Sequence, residues 1–290
     1  MATIKASLSH EERTSQEPRE NRLEDVTLSR IESVNQTIRL LRLSSTDPKH
    51  AFRFLPGQWL DVFIPGLSKA GGFTVTSTPR EGQPTSERPA YFELAIQKSE
   101  NPPAKWLWRP EDDILHKQLV VRVGGSFTWP PLDVDYTGIE SVLLVAGGVG
   151  INPLVSIFSH LLQQSHPPRT LEFIYSTKIE GGRIDGSHIL FLKRVMGLLK
   201  EASNYKTNLE LFLTGASKDE ISKATGLPSD VHLGRITPSD LDNALGHDIQ
   251  RRTKTLAYVC GPPRMTDEIV SYLASREGMT GERVLCEKWW

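Results

Sequence analysis

The chain of 290 residues has only two cysteines, Cys260 and Cys286. Two thiols cannot supply a disulfide framework, a zinc site of four thiolates or an iron–sulfur cluster, so any electron relay beyond a bound organic cofactor lies outside this sequence. Both cysteines also suit the plain role of small buried apolar residues in a reducing compartment. An excess of one charge is missing too: 34 basic side chains stand against 35 acidic ones, which leaves no electrostatic footprint for a nucleic acid. The eight histidines show no ligand spacing, and no metal site is assigned. Long apolar runs are scarce. The strongest, residues 142–162, is interrupted by Gly147, Gly148, Gly150, Asn152, Pro153, Ser156, Ser159 and His160, which argues against a membrane span. Residues 1–25 have no apolar h-region, and Glu11, Glu12, Glu17, Glu20 and Glu24 do not suit a transit peptide; a short flexible, solvated tail is the expectation.

What is present divides into two grammars. Residues 26–135 show short runs at 26–31, 37–43, 58–64, 73–77, 91–97 and 119–123, separated by turns such as Pro56-Gly57, Pro65-Gly66 and Pro102-Pro103. Six short strands with polar loops predict an antiparallel six-stranded β-barrel. From 136 to 290, apolar runs at 141–146, 170–176, 207–213, 255–260 and 282–287 alternate with helical patterns at about 153–164, 187–202, 238–245 and 264–276. That alternation predicts an α/β domain with a parallel sheet. Thr237-Pro238-Ser239-Asp240 carries a helix start signal, with threonine as N-cap and proline in the first turn.

The chemistry concentrates at two turns. The buried-type strand at 142–146 runs straight into Gly147-Gly148-Val149-Gly150-Ile151-Asn152-Pro153 ahead of an apolar helix. Missing β-carbons let a backbone approach a pyrophosphate, while unpaired N–H groups and the helix dipole favour its charge. Pro153 fits the first helical turn, where its absent N–H costs nothing. A tight strand-to-helix turn needs glycines for geometry alone as well, so the second turn matters. Tyr258-Val259-Cys260-Gly261-Pro262-Pro263-Arg264-Met265 ends a later strand of the same sheet, and ligands collect beyond the carboxyl ends of such strands.

With both motifs in this order and spacing, the chain resembles the ferredoxin–NADP reductase superfamily, whose nucleotide domain opens with Gly-Gly-x-Gly-x-x-Pro and later carries Cys-Gly-Pro-x-x-Met. The match is closest to the oxidoreductase NAD-binding domain-containing proteins, through residues 173–176, the Gly147 turn, Cys260-Gly261-Pro262-Pro263 and the ending Glu287-Lys288-Trp289-Trp290. The resemblance covers residues 26–290. It implies an NAD(P)H site with Gly147, Gly148, Val149, Gly150, Ile151, Asn152 and Pro153 on the pyrophosphate and Cys260, Gly261 and Pro262 beside the nicotinamide. It also implies a flavin, FAD or FMN, packed on Phe73 with the Thr74 hydroxyl near its N5, and helix N-terminal amides near Pro103 and Ala104 close to its phosphate. Glu287 would contribute charge or proton handling, and Trp289 would cover the flavin face. Mitochondria are the compartment the resemblance suggests, whereas residues 1–25 do not look like a presequence.

One position departs from the family pattern. Arg-x-Tyr-Ser/Thr aligns with Gly71-Gly72-Phe73-Thr74, and a glycine cannot supply the bidentate arginine grip on phosphate. Lys69 offers a point charge nearby, or is simply a solvated loop residue. Trp59 and Trp108 read as core packing. Ser217 and Lys218, after the third strand of the α/β domain, are placed to meet a 2′-phosphate, and no acid in Tyr175-Ser176-Thr177-Lys178 claims a ribose. The expected activity is transfer of hydride from NAD(P)H to flavin, with electrons passed to a separate acceptor, whether protein or small molecule. The competing expectation is a nucleotide-binding sensor or scaffold without turnover, motivated by Gly71.

Overall fold

The computed structural model describes residues 9–164, 167–202 and 205–288. The chain forms two compact units, and the main change from one to the other falls between Leu132 and Asp133.

The first unit is an antiparallel sheet of six strands in the order β4-β3-β6-β1-β2-β5. They span β1 Glu24–Ser33, β2 Ile38–Ser45, β3 Trp59–Phe63, β4 Gly71–Thr74, β5 Tyr91–Gln97 and β6 Gln118–Gly124. A bridge from Val75 to Leu94 joins the two edge strands and closes the barrel. Alternation sets what goes inside: Val26 and Leu28 of β1, Leu41 and Leu43 of β2, and Leu60 and Val62 of β3 share one core. Their neighbours Trp59 and Asp61 therefore point to the opposite face of the sheet.

That face corrects the expectation of a solvated tail. Ser9 caps a short helix, α1 His10–Arg13, through a reciprocal box with Glu12. His10 is 4% exposed and lies edge-on to Trp59, with ring centroids 4.6 Å apart. Farther on, Arg19 bridges to Gly124, and the Glu17 carboxylate accepts from the Ser126 amide and hydroxyl. Asp61, fully buried, is the anchor: His10 Nε2 lies 3.1 Å from Oδ1, while Arg19 and Arg122 donate to Oδ2 at 2.9 and 2.7 Å. Burial pushes the Asp61 carboxyl up, but hydrogen bonds from His10, Arg19 and Arg122 outweigh it and bring the pKa down to about 2.

The second unit is a parallel sheet in the order β10-β9-β8-β7-β11-β12. Its strands are β7 Ser141–Gly147, β8 Thr170–Lys178, β9 Lys206–Thr214, β10 Val231–Leu233, β11 Thr255–Cys260 and β12 Val284–Glu287. The edge strand β10 was not expected; three half-exposed residues leave no periodic signal. Around the sheet lie α4 Ile151–Gln163, α5 Leu192–Glu201, α6 Lys218–Ser222, α7 Pro238–Leu245, α8 Ile249–Arg252 and α9 Pro263–Ala274; the barrel carries α2 Pro102–Leu107 and α3 Glu111–Ile114. Helix α5 starts five residues later than expected. Asp185 caps a 3-10 turn over Gly186–His188, and Phe191, at φ 58°, sits in the left-handed region just before the helix. The Thr237 N-cap of α7 is present, with Asp240 closing the box. Among the described residues no helix is long and apolar enough to cross a membrane; residues 142–162 are β7 followed by α4.

Candidate nucleotide site

The chain winds outward from β7 through β8 and β9 to β10, then returns to lay β11 against the other side of β7. The strand order therefore reverses between β7 and β11, where an open α/β sheet leaves a crevice at its carboxyl edge. Both glycine turns flank that point, since Ala146 pairs with Cys260 in register.

Each glycine of the first turn has its own reason. Gly150 has an ordinary helical φ of −62°, but a Cβ there would lie 2.3 Å from the Cys260 carbonyl oxygen. A Cβ on Gly147 would meet Met265 Sδ at 2.6 Å and Pro262 Cδ at 2.7 Å. Gly150 lets the turns pack backbone to backbone, and Gly147 makes room for the Met265 and Pro262 side chains. Gly148 differs: its φ is +55°, and nothing lies within 4 Å of a Cβ built on it. It is the position open to a ligand. Residues Gly148–Gly150 form a 3-10 turn leading into α4, and no side chain caps either start. Ile151, Asn152 and Leu154 are buried, so the first turn of α4 is fixed by packing while its amides lack side-chain acceptors. The residues fit an anionic dinucleotide.

Beside this turn lies a cavity of about 360 Å³. Its wall is built from the carboxyl ends of four strands: Gly147 and Gly148 at and just after the end of β7, Ser176, Thr177 and Lys178 at the end of β8, Thr214 at the end of β9, and Arg235 after β10; Pro262, Arg264, Met265 and Glu268 close it. Of the expected residues, Gly147, Gly148 and Pro262 line it. Ser217 and Lys218 do not. Ser217 instead caps α6, its hydroxyl and amide both donating to Glu220, at 2.7 and 2.8 Å. Lys178, Arg235, Arg264 and the hydroxyls of Ser176 and Thr214 were missed. The absence of an acid at the end of β8 was the available signal; Arg235 gave none, because the strand that places it was not foreseen.

Cys260 closes β11 and is 1% exposed. Burial, reinforced by the Glu287 charge, pushes its thiol well above the ordinary cysteine value. Glu287 is its register partner on β12, so the structure does bring these two together. Cys286, half-buried, is held up mainly by burial as well. Thr266 ties the second turn, donating its hydroxyl to the Gly261 carbonyl at 3.1 Å. Trp289 and Trp290 lie outside the described residues.

On the barrel, Phe73 packs half-buried against the core and Thr74 is 6% exposed. Gly71 has a physical account. A Cβ there would meet Pro103 Cβ at 2.5 Å and the Phe73 ring at 2.6 Å, so the place of the family arginine is filled. A Cβ on Gly72 would lie 2.1 Å from the His10 ring. Helix α2 begins with Pro102 and Pro103, which carry no N–H, so Ala104 is the first of its residues with an amide to offer, and both Pro103 and Ala104 are buried. The barrel residues fit an aromatic ring at Phe73; they do not provide the arginine phosphate grip.

Comparison with known proteins agrees with this architecture. Residues 144–271 match the oxidoreductase NAD-binding domain model. An oxidoreductase NAD-binding domain-containing protein 1 from Bos taurus is 33% identical over 290 residues, covering 97% of this chain and 85% of the relative. Among solved structures, the CS-b5R domains of human Ncb5or in the NAD+ form superpose with a TM-score of 0.69 at 17% identity, over 92% of this chain and 70% of that one. A ferredoxin NADP+ reductase from Neisseria gonorrhoeae with bound FAD and NADP gives a TM-score of 0.65 at 13% identity, over 93% of this chain and 100% of that one. A barrel, a parallel sheet with a glycine turn at its switch point and this similarity across nearly the whole length converge: the chain belongs to the oxidoreductase NAD-binding domain-containing protein family, built on the two-domain fold of the ferredoxin–NADP reductases.

Proposed function

We propose that the protein oxidises NAD(P)H, passing hydride to a bound FAD or FMN and electrons onward to a separate acceptor. The observation that carries the reading is Gly148, open and left-handed at the head of an uncapped helix, beside a cavity walled by strand ends. In this reading residues 147–153 hold the pyrophosphate through backbone amides and the α4 dipole. Cys260, Gly261 and Pro262 shape the nicotinamide end. With its thiol kept protonated by burial, Cys260 acts as a neutral wall and weak donor, not as a nucleophile. Glu287, in register beside it, supplies charge or accepts a proton.

A flavin, when bound, supplies the hydride acceptor and the link to a further electron acceptor. On the barrel Phe73 offers an aromatic face for it, the Thr74 hydroxyl a hydrogen bond, and Trp289 a cover. Pro103 and Ala104 limit the space beside Gly71, so phosphate binding relies on groups other than an arginine at that position. Ser217 and Lys218 remain candidates for the outer end of the nucleotide only if α6 gives up its cap.

The visible spectrum of the purified protein and NAD(P)H oxidation with added FAD or FMN test the reading. Flavin absorbance with nucleotide oxidation is expected; the absence of both signals overturns the reading. The filled space at Gly71 favours a second reading, a nucleotide-binding sensor without turnover. Saturable NADH or NADPH binding without flavin reduction is its signature.

A further inference from the structure

The cavity carries more positive charge than a pyrophosphate held by α4 requires. Lys178, Arg235 and Arg264 come from three separate elements, the end of β8, the loop after β10 and the first turn of α9, and all line the same wall. Against three cations stands one acid, Glu268, which already accepts from Arg264 at 2.6 Å. Among the described residues neither Lys178 nor Arg235 makes an ion pair. Ser176, Thr177 and Thr214 add hydroxyls to the same wall, that of Thr214 already donating to the Thr177 carbonyl at 3.4 Å.

Strand order puts Lys178 and Arg235 on one side of the switch point, opposite the Cys260 turn, whose Pro262 and Arg264 line the other side of the same cavity. The Cys260 turn lies on the β11 side of the switch point, whereas Lys178 is two residues beyond Ser176, the register partner of Gly147, and is itself paired with Thr214 of β9. The end of the strand next to the glycine turn is where a sheet of this type meets the adenosine ribose, and an acid there hydrogen-bonds the free ribose diol. Here that position is Ser176-Thr177-Lys178. A carboxylate would repel a ribose phosphate; lysine with flanking hydroxyls attracts one. Net charge on the wall, three cations less one acid, matches a phosphomonoester, which carries about −1.5 to −2 near neutral pH.

From this convergence we infer that the cavity is a 2′-phosphate subsite, that Lys178, Arg235 and Arg264 hold the phosphate, and that the protein selects NADPH over NADH. The inference rests on the dinucleotide reading of the Gly148 turn. It assigns the selectivity to the ends of β8 and β10, not to the α6 cap.

Isothermal titration of the full chain with NADPH, NADH, adenosine 2′,5′-bisphosphate and 5′-AMP is the test, because it reads binding without hydride transfer. NADPH should bind at least about tenfold more tightly than NADH, and the bisphosphate more tightly than 5′-AMP. Arg235→Ala, at an exposed position where folding is not at stake, should weaken NADPH about tenfold while leaving NADH within about twofold. Lys178→Glu should reverse the preference. Equal affinities for the two nucleotides overturn the selectivity alone. So does an Arg235→Ala variant that weakens both equally, since the arginine would then serve a group the two nucleotides share. If neither nucleotide binds, the dinucleotide reading falls and the subsite with it.

Discussion

Each half of the molecule has a glycine pair where the other half has none, and the two pairs solve different problems. In the nucleotide domain Gly147 and Gly150 are glycine because a second turn of the same sheet presses against them, leaving Gly148 free toward solvent. In the barrel Gly71 and Gly72 are glycine because Pro103 on one face and His10 on the other occupy the space of a side chain. The first pair frames an opening; the second is covered. A glycine cluster therefore reports close approach of something, and only the partner says whether that is a ligand or the chain itself.

The sharpest way to break the comparison is to remove what pins the barrel's covering segment. Asp61→Asn removes the negative charge that Arg19 and Arg122 share and leaves two guanidinium groups facing a neutral amide. The expected loss is roughly 3–5 kcal/mol of unfolding free energy, read by denaturant titration. The same carboxylate gives the wild type a pH signature. Its pKa falls from 3.8 in the reference state to about 2 on folding, so its contribution is complete above about pH 5 and disappears as pH falls through about 2. That slope corresponds to roughly 2 kcal/mol and should be absent from the variant. A slope that survives in Asp61→Asn would assign it to other carboxylates.

A paired substitution compares the two glycine clusters directly. Gly150→Ala drives a methyl into backbone at Cys260, which cannot swing aside; about 3 kcal/mol of destabilisation is expected, with loss of nucleotide binding. The nearest atoms that Gly72→Ala meets are those of the His10 ring, on a short helix. About 1–2 kcal/mol is expected, with faster amide exchange confined to residues 9–22 as that segment lifts. Equal damage from the two would mean that the segment over the barrel is as rigid a part of the core as the second turn.

How much of this was legible in the sequence follows from the range over which the signals act. The Gly147 turn, the Thr237 cap and both sheets are written in local spacing, and they emerged at nearly the expected residues. The ordering of His10 and Arg19 was not legible, because the group that holds them, Asp61, lies some forty to fifty positions away within an ordinary strand. Gly71-Gly72 inside a strand was the available hint of close approach, and it was read only as a missing arginine. Lys178, Arg235 and Arg264 are unremarkable surface cations until the order β10-β9-β8-β7-β11 brings their strand ends to one wall.

The smallest expected effect bears on the glycine of the nucleotide-domain turn that faces outward. Gly148→Ala places a residue that prefers negative φ at +55°, at a cost of about 1 kcal/mol, while its methyl enters open space. Gly148→Asn is the control, because asparagine tolerates the left-handed region and should cost less than half as much. Both variants project a Cβ toward the proposed pyrophosphate. If Gly148 is needed for backbone approach to the ligand, NADPH affinity falls severalfold in both, out of proportion to stability. If it is needed only for its φ, asparagine restores binding and alanine does not. The second outcome would make all three glycines of the turn structural and move recognition of the phosphates onto the cationic wall alone.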